Sequence, residues 1–380
     1  MKRMKRLKRW AALWLALWLS CAATAAQAKT LRDYRIPGAQ GYVRLVWLDG
    51  GDYMLLTSGM EAETKLSWRA GDGSVRYEMT VPLMGTQRGT MGAALPDGRY
   101  AAAYRVDETT DEVRLYDASG ETGAFRLTSG ADYLRLTQTG VALLFRDART
   151  VKLIDYAGAE TLSLSLPGKR TPLWVEVFQG QGVIYVIACT RTLDTEAAMR
   201  APYLLCAYDT AGELLFDRLL WEEELGFYLH GVKCIDAQDA LVISGPEIAD
   251  YKRTHVLRVN ASGDTAYHRV LSDGQGAVVS VNRILADGAD VALYGTVMAQ
   301  SRGMFACMKL RLDGAGALTD SDIREFDLTS DYLYSLGVAS DGAAYAIKTE
   351  IEDVGIAVKW ISAVPFADLP ATDKVNLAFE

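Results

Sequence analysis

LADGADVALY (285–294) joins one apolar stretch to another through a turn centred on Gly288. The same phrase occurs six more times, as VWLDGGDYMLL (46–56), ALPDGRYAAAY (94–104), LTQTGVALLF (136–145), VFQGQGVIYVI (177–187), CIDAQDALVI (234–243) and VASDGAAYAI (338–347). Successive turn centres, at Gly51, Gly98, Gly140, Gly182, Asp239, Gly288 and Gly342, lie 42 to 57 residues apart. A period of that size marks a unit that cannot hide its own apolar face and must stack on its neighbours.

A second turn series runs in phase with the first: GDGSV (71–75), YDASGE (116–121), IDYAGA (154–159), YDTAGE (208–213), VNASGD (259–264) and LDGAGA (312–317). Asp or Asn followed by glycine combines local side-chain hydrogen bonding with a residue that tolerates positive φ, which a tight strand reversal needs. The segments between turns are short, alternating and rich in Val, Leu, Tyr and Thr, as in VRLYD (113–117), YLLCAYD (203–209) and ACMKLRLD (306–313), and read as strands. No segment reads as a helix; EAAMR in the 190–202 connection is too short. Two hairpins per unit make four strands per unit. Four-stranded units repeated around an axis form a β-propeller, each sheet packing on the next.

The expected fold is therefore all-β, a seven-bladed β-propeller of four-stranded antiparallel blades, forming a single domain over 29–380. Strands crowd toward the axis, so innermost strands should carry small residues, as TMGAALP (90–96), LHGVKC (229–234) and SLGVAS (335–340) do. Extending the turn series forward makes VKWIS (358–362) the third strand of the last blade. Extending it backward makes TLRDYRIP (30–37) the fourth, so the N-terminal strand closes the ring. KVNLAFE (374–380) is the competing closing strand.

Residues 1–28 read as a leader. MKRMKRLKR carries six basic residues and no acid, and is followed by the apolar run WAALWLALWLS and the small-residue site Ala26-Gln27-Ala28. That order describes a secretory signal peptide cut before Lys29 and places the protein outside the cytoplasm, secreted or at the cell surface. Left uncleaved, the run would anchor the chain in a membrane. Without the leader the net charge moves from −8 to −14. Such a surface disfavours nucleic acid and anionic membranes as partners and suits a soluble monomer.

Few residues point to chemistry. Cys189 and Cys206 flank a long hairpin loop, and are either a disulfide of an oxidising compartment or two buried thiols. No His, Cys or Asp spacing matches a metal site, and no nucleophile or phosphate-loop motif is present, so neither metal nor cofactor is expected. His255 and His268 fall on outer strands and read as solvated; His230 opens the innermost strand of the fifth unit, where it would line the axial channel or its mouth. The loops joining second to third strands and those joining units share one face. VDETTDEV (106–113), LDTEAAMRAP (193–202), PEIADYKRTH (246–255) and WEEELGFYLH (221–230) stand out among them, the first as a solvated acidic run. Gathered there, Trp174, Glu176, Trp221, Tyr228, His230 and Tyr251 would form an aromatic and acidic patch suited to a peptide or a sugar. The two tryptophans also fit as wedges between units.

AYDTAGELLF (207–216), with its order Ala-x-Asp, Gly, aromatic, resembles the repeat of pyrroloquinoline-quinone-type propellers, and YDASGE and VNASGD are weaker copies. The resemblance to the β-propeller superfamily, with divergent repeats of this type or of the WD40 type, covers nearly the whole chain after the leader. It implies the fold alone. The regular blade tryptophan of those enzymes and their calcium and quinone ligands have no match here, nor have the WD dipeptide and the sialidase Asp-box, and function does not follow from fold. Two functions are in view: a binding or scaffolding module for a protein, peptide or glycan, and alternatively a hydrolase or lyase with its site at the channel mouth.

Overall fold

The computed structural model describes residues 29–31, 41–59, 64–71, 73–81, 91–191, 203–220, 225–229, 231–299, 303–326, 332–351 and 358–380. Their strands form seven antiparallel sheets that succeed one another along the chain. Blades 1 to 6 occupy 41–81, 91–128, 133–165, 171–220, 232–272 and 278–326, each ordered from first strand to fourth. Blade 7 takes three strands from 332–365. The first strand of each blade approaches the first strand of the next, and that of blade 7 approaches that of blade 1. The first strands therefore surround a common axis. The molecule is a seven-bladed β-propeller.

Alternation along each strand sends successive side chains to opposite faces, and both faces of a blade meet another blade. Accordingly all six residues of the third strand of blade 4, Tyr203–Tyr208, are buried. Seven apolar clusters lie among the described residues, one at each junction between blades. The junction of blades 7 and 1 is made by Trp47, Tyr53 and Leu55 against Ala339, Ile347 and Ala363. Tyrosines also carry polar links across junctions. The Tyr185 hydroxyl of blade 4 donates to Asp239 O of blade 5 at 2.9 Å, and that of Tyr208 to Ser165 O of blade 3 at 2.8 Å.

The second turn series shows why its motif recurs. In the hairpins after the third strands of blades 3, 4 and 6, Oδ1 of Asp155, Asp209 and Asp313 accepts backbone N–H groups two and four residues ahead, at 2.8–2.9 Å. The following glycines, Gly158, Gly212 and Gly316, stand at φ of 87°, 88° and 78°. The next apolar residue on the outer strand then lies against the corresponding glycine of the following blade, Phe125 on Gly158, Phe216 on Gly263 and Tyr267 on Gly316. A Cβ on Gly316 would stand 2.7 Å from the Tyr267 ring. Asp, Gly and aromatic thus form one device, a capped turn that receives the ring of the blade before it.

Ring closure follows the N-terminal expectation. Lys29–Leu31 adds antiparallel to Val358–Pro365 as the fourth strand of blade 7, in the register Lys29↔Ala363 to Leu31↔Ile361. Residues 1–28 and 32–40 lie outside the described residues. A polar clasp reinforces the junction: Asp49 Oδ1 accepts from the Ser340 hydroxyl at 2.6 Å and the Asp341 N–H at 3.0 Å, and Asp341 Oδ2 accepts from Gly50 N–H at 3.1 Å. The competing segment has another place. Phe366 and Leu369 pack into the junction of blades 6 and 7, Val375 and Leu377 into that of blades 5 and 6, and Ala378–Phe379 pairs with the outer strand of blade 5. The C-terminal segment is therefore a strap over the outer edges of blades 6 and 5, covering backbone groups that an open edge would expose. Among the described residues no helix is long and apolar enough to cross a membrane.

The cysteines are free. Cys189 pairs in register with Tyr203 and packs between blades 4 and 5, while Cys206 faces Val186 and packs between blades 3 and 4. The two thiols stand on opposite faces of one sheet, so no disulfide joins them. Burial pushes the Cys206 thiol up to about 12.

Candidate functional site

Three neighbouring first strands each place one charge in an apolar run: Leu134-Arg135-Leu136 in blade 3, Val175-Glu176-Val177 in blade 4 and Val232-Lys233-Cys234 in blade 5. In each, the flanking residues pack into a junction and alternation turns the charge to the other face. Lys233 Nζ lies 2.7 Å from Glu176 Oε2, and Arg135 Nη2 lies 3.4 Å from Glu176 Oε1. One carboxylate thus ties three blades together beside the axis. Only 2% of the Lys233 side chain is exposed. Burial lowers its pKa, and the charge and hydrogen bond of Glu176 oppose that shift. A second donation, to Gly231 O at 3.1 Å, fixes the ammonium further.

At the loop end of blade 5, the connection entering the blade is pinned to the loop between its second and third strands. Phe227 bridges Glu247, Tyr228 N–H donates to Pro246 O at 3.0 Å, and Ile248 N–H donates to Gly226 O at 3.1 Å. This pinning sets Tyr228 and Tyr251 in a near-parallel stack, centroids 6.1 Å apart at 14°. Tyr251 is 57% exposed, so its ring faces solvent. Phe227 is fully buried and stacks on His255 at 5.2 Å and 13°.

His255 corrects the expectation of a solvated ring. It lies on the third strand of blade 5, Thr254–Val259, and is 7% exposed. Its Nδ1 is 2.8 Å from His268 Nε2, and its Nε2 is 3.3 Å from Glu247 Oε2. Only a donating Nε2–H suits the carboxylate, so with both rings neutral His255 Nδ1 accepts from His268 Nε2–H. A single hydrogen bridges the rings, and two imidazolium rings would oppose each other there. Burial lowers the pKa of His255 despite Glu247; burial and then the charge of His255 lower that of His268. Glu247 also pairs with Arg253 at 3.0 Å, and Arg253 with Glu380 of the strap at 2.9 Å.

The acidic run 106–113 is corrected too. Asp111 and Glu112 belong to the third strand of blade 2 and are buried. Asp111 pairs with Arg105 at 3.1 Å, and Glu112 with Arg114 at 2.6 Å and Arg126 at 2.8 Å. Burial would raise the Glu112 pKa, but hydrogen bonds from Tyr104, Arg126 and Arg114 outweigh it and hold the carboxyl at about 2.

Of the six expected site residues, the structure joins Tyr228 to Tyr251. Trp174 acts as a wedge: it packs into the junction of blades 4 and 5, edge-on to Tyr203 at 5.7 Å and 68°. Glu176 is neutralised rather than offered to a ligand as an acid. Trp221, His230 and the loop 193–202 lie outside the described residues. Arg135, Lys233, Arg283 and Glu247 were missed. The signal for the first two was a lone charge inside a short apolar first strand; Glu247 became legible only once the loop was folded. Among the described residues no three His, Cys, Asp or Glu side chains could hold a metal ion.

No family model matches the chain, and no curated protein matches it in sequence. It is similar in structure to the polysaccharide lyase Uly1, at 9% identity over 88% of this chain and 91% of that one, with a TM-score of 0.51. It is also similar to BBS1N as found in complex with ARL6DN, at 13% identity over 90% of this chain and 98% of that one, with a TM-score of 0.47. At such identities the likeness to Uly1 speaks for the fold alone.

Proposed function

We propose that the protein is an exported binding module that engages a protein segment, a peptide or a glycan with the loops of blade 5. The Tyr228–Tyr251 stack carries this reading, because it holds a large ring in solvent on a pinned loop. An aromatic platform gains contact area from a sugar face or a peptide side chain and loses little entropy, having few rotatable bonds. The basic and apolar leader with its Ala-x-Ala site supports export. The Asp, Gly and aromatic device supports placing the blades with the pyrroloquinoline-quinone-like repeats. The excess of acidic over basic residues argues for a partner other than nucleic acid.

The test is a screen of the secreted chain and its Tyr251→Ala variant against an oligosaccharide array and a displayed peptide library. Wild type should retain a ligand, and Tyr251→Ala should bind it about tenfold more weakly, the loss of one good aromatic contact, with its unfolding midpoint unchanged. A wild type that retains nothing from either collection, or a variant that binds as well, overturns the reading.

A further inference from the structure

The charges on the seven first strands have the opposite sign to the chain as a whole. Net charge is −8. Yet the described first strands carry Arg44, Arg135, Lys233 and Arg283 against Glu176 and a terminal Asp287, which pairs with Arg311 at 2.5 Å. Blades 2 and 7 contribute uncharged first strands, Met91–Ala94 and Tyr332–Val338. A narrow passage between low-dielectric walls focuses such a potential.

Arg135 and Lys233 already share Glu176. Arg283 does not. It sits on the first strand of blade 6, Val278–Asp287, one residue past the irregularity between Val281 and Arg283, and is partly buried. Among the described residues its guanidinium makes no hydrogen bond and no ion pair. The groups that act on it electrostatically are Cys234 in blade 5 and Asp49 in blade 1. Blades 1 and 6 are not neighbours, so a side chain sensitive to both blade 5 and blade 1 reaches toward the axis. Neither group is a counterion. Burial pushes the Cys234 thiol up to about 12, which leaves it neutral. Asp49 Oδ1 is engaged by Ser340 and Asp341 in the ring-closing clasp. Removing a charge from water without a partner is costly, and burial lowers the pKa of Arg283 accordingly.

We propose that the axial channel is a binding site for an oxyanion, a carboxylate or a tetrahedral sulfate or phosphate group, with Arg283 as its principal ligand. A planar guanidinium presents paired N–H donors that match two oxygens of such a group, and a desolvated setting strengthens the contact. Lys233 and Arg135 stand on neighbouring first strands as a second source of positive potential, held back by Glu176. That arrangement sets opposite expectations for two residues of one channel: losing Arg283 removes the site, and neutralising Glu176 frees two cations to join it.

Isothermal titration of the full chain with sodium sulfate and, separately, sodium citrate, at ionic strength fixed with chloride, tests this. At least one of the two should bind saturably. Binding of sulfate alone identifies a tetrahedral oxyanion, and binding of citrate alone a carboxylate. Arg283→Gln should weaken binding at least about tenfold, in line with loss of a charge-assisted bidentate contact, and Glu176→Gln should tighten it. If Arg283→Gln does not fold, Arg283→Lys keeps the charge without the fork and should bind several-fold more weakly. No saturable binding of either anion, or wild-type affinity in the folded Arg283 variant, overturns the proposal.

Discussion

At the hairpin end of the ring, Asp155, Asp209 and Asp313 each cap their own turn, and glycines at positive φ receive the ring of the preceding blade. At the loop end, Glu112 is held by residues of its own sheet and Glu247 by groups from several segments of the chain, and Tyr251 stands in solvent. Turns at the first end are two to five residues long, so backbone geometry leaves them little choice and the same residue types recur. Loops at the second end are freed from that constraint, and their conformation is decided by which side chains find partners. Repetition holds up one end of the molecule, and individuality gives the other end its capacity to bind.

The comparison breaks or sharpens under three substitutions. The largest effect is expected from Gly316→Ala. At φ of 78° with the Tyr267 ring 2.7 Å from the new Cβ, it should cost about 2 to 4 kcal/mol in urea unfolding. Gly303 has φ of 59° at the loop end and open space around it, so Gly303→Ala should cost only about 1 kcal/mol. Equal costs would mean that the two ends are built alike.

Next in size is Glu112→Gln, which leaves Arg114 and Arg126 without a charged acceptor and should cost about 2 kcal/mol. The carboxyl is held near 2, against 4.5 in the unfolded chain. Its contribution is therefore complete above pH 4.5 and is lost as pH falls from there toward 2. Acid unfolding of wild type should steepen in that interval, and the variant should lack the extra slope.

The smallest effect belongs to the histidine pair. Both pKa values are lowered from 6.5, so below that pH the unfolded chain takes up protons that the folded blade refuses. Stability should decline as pH drops below 6.5, measured by urea midpoints between pH 7.5 and 5.5, and His268→Gln should flatten the decline. Because Arg253 joins Glu247 to Glu380, amide exchange in the C-terminal strap should rise over the same interval. A midpoint independent of pH there would remove the pair from the account of this end.

The expectation for His255 failed for a reason specific to propellers. A third strand is far from the axis yet still covered by neighbouring blades, so distance from the centre does not mean contact with water. The acidic run 106–113 misled similarly: charge suggested a loop, but arginines at 105, 114 and 126 on adjacent strands let two of its acids enter the sheet. The aromatic patch was half legible. Tyr228 and Tyr251 lie in loops of one blade and meet, whereas Trp174 alternates into a junction.

From its sequence alone this chain determined the blade count, the strand order within each blade and the closing strand. All three follow from local turn chemistry and a two-residue alternation repeated at a near-constant period. Tertiary structure decided which charges meet. Lys233 finds Glu176 across 57 positions, and Arg283 is left facing the axis, because ring closure brings together residues whose separation along the chain carries no pattern. Only the closed ring shows that a predominantly acidic protein has a cationic centre.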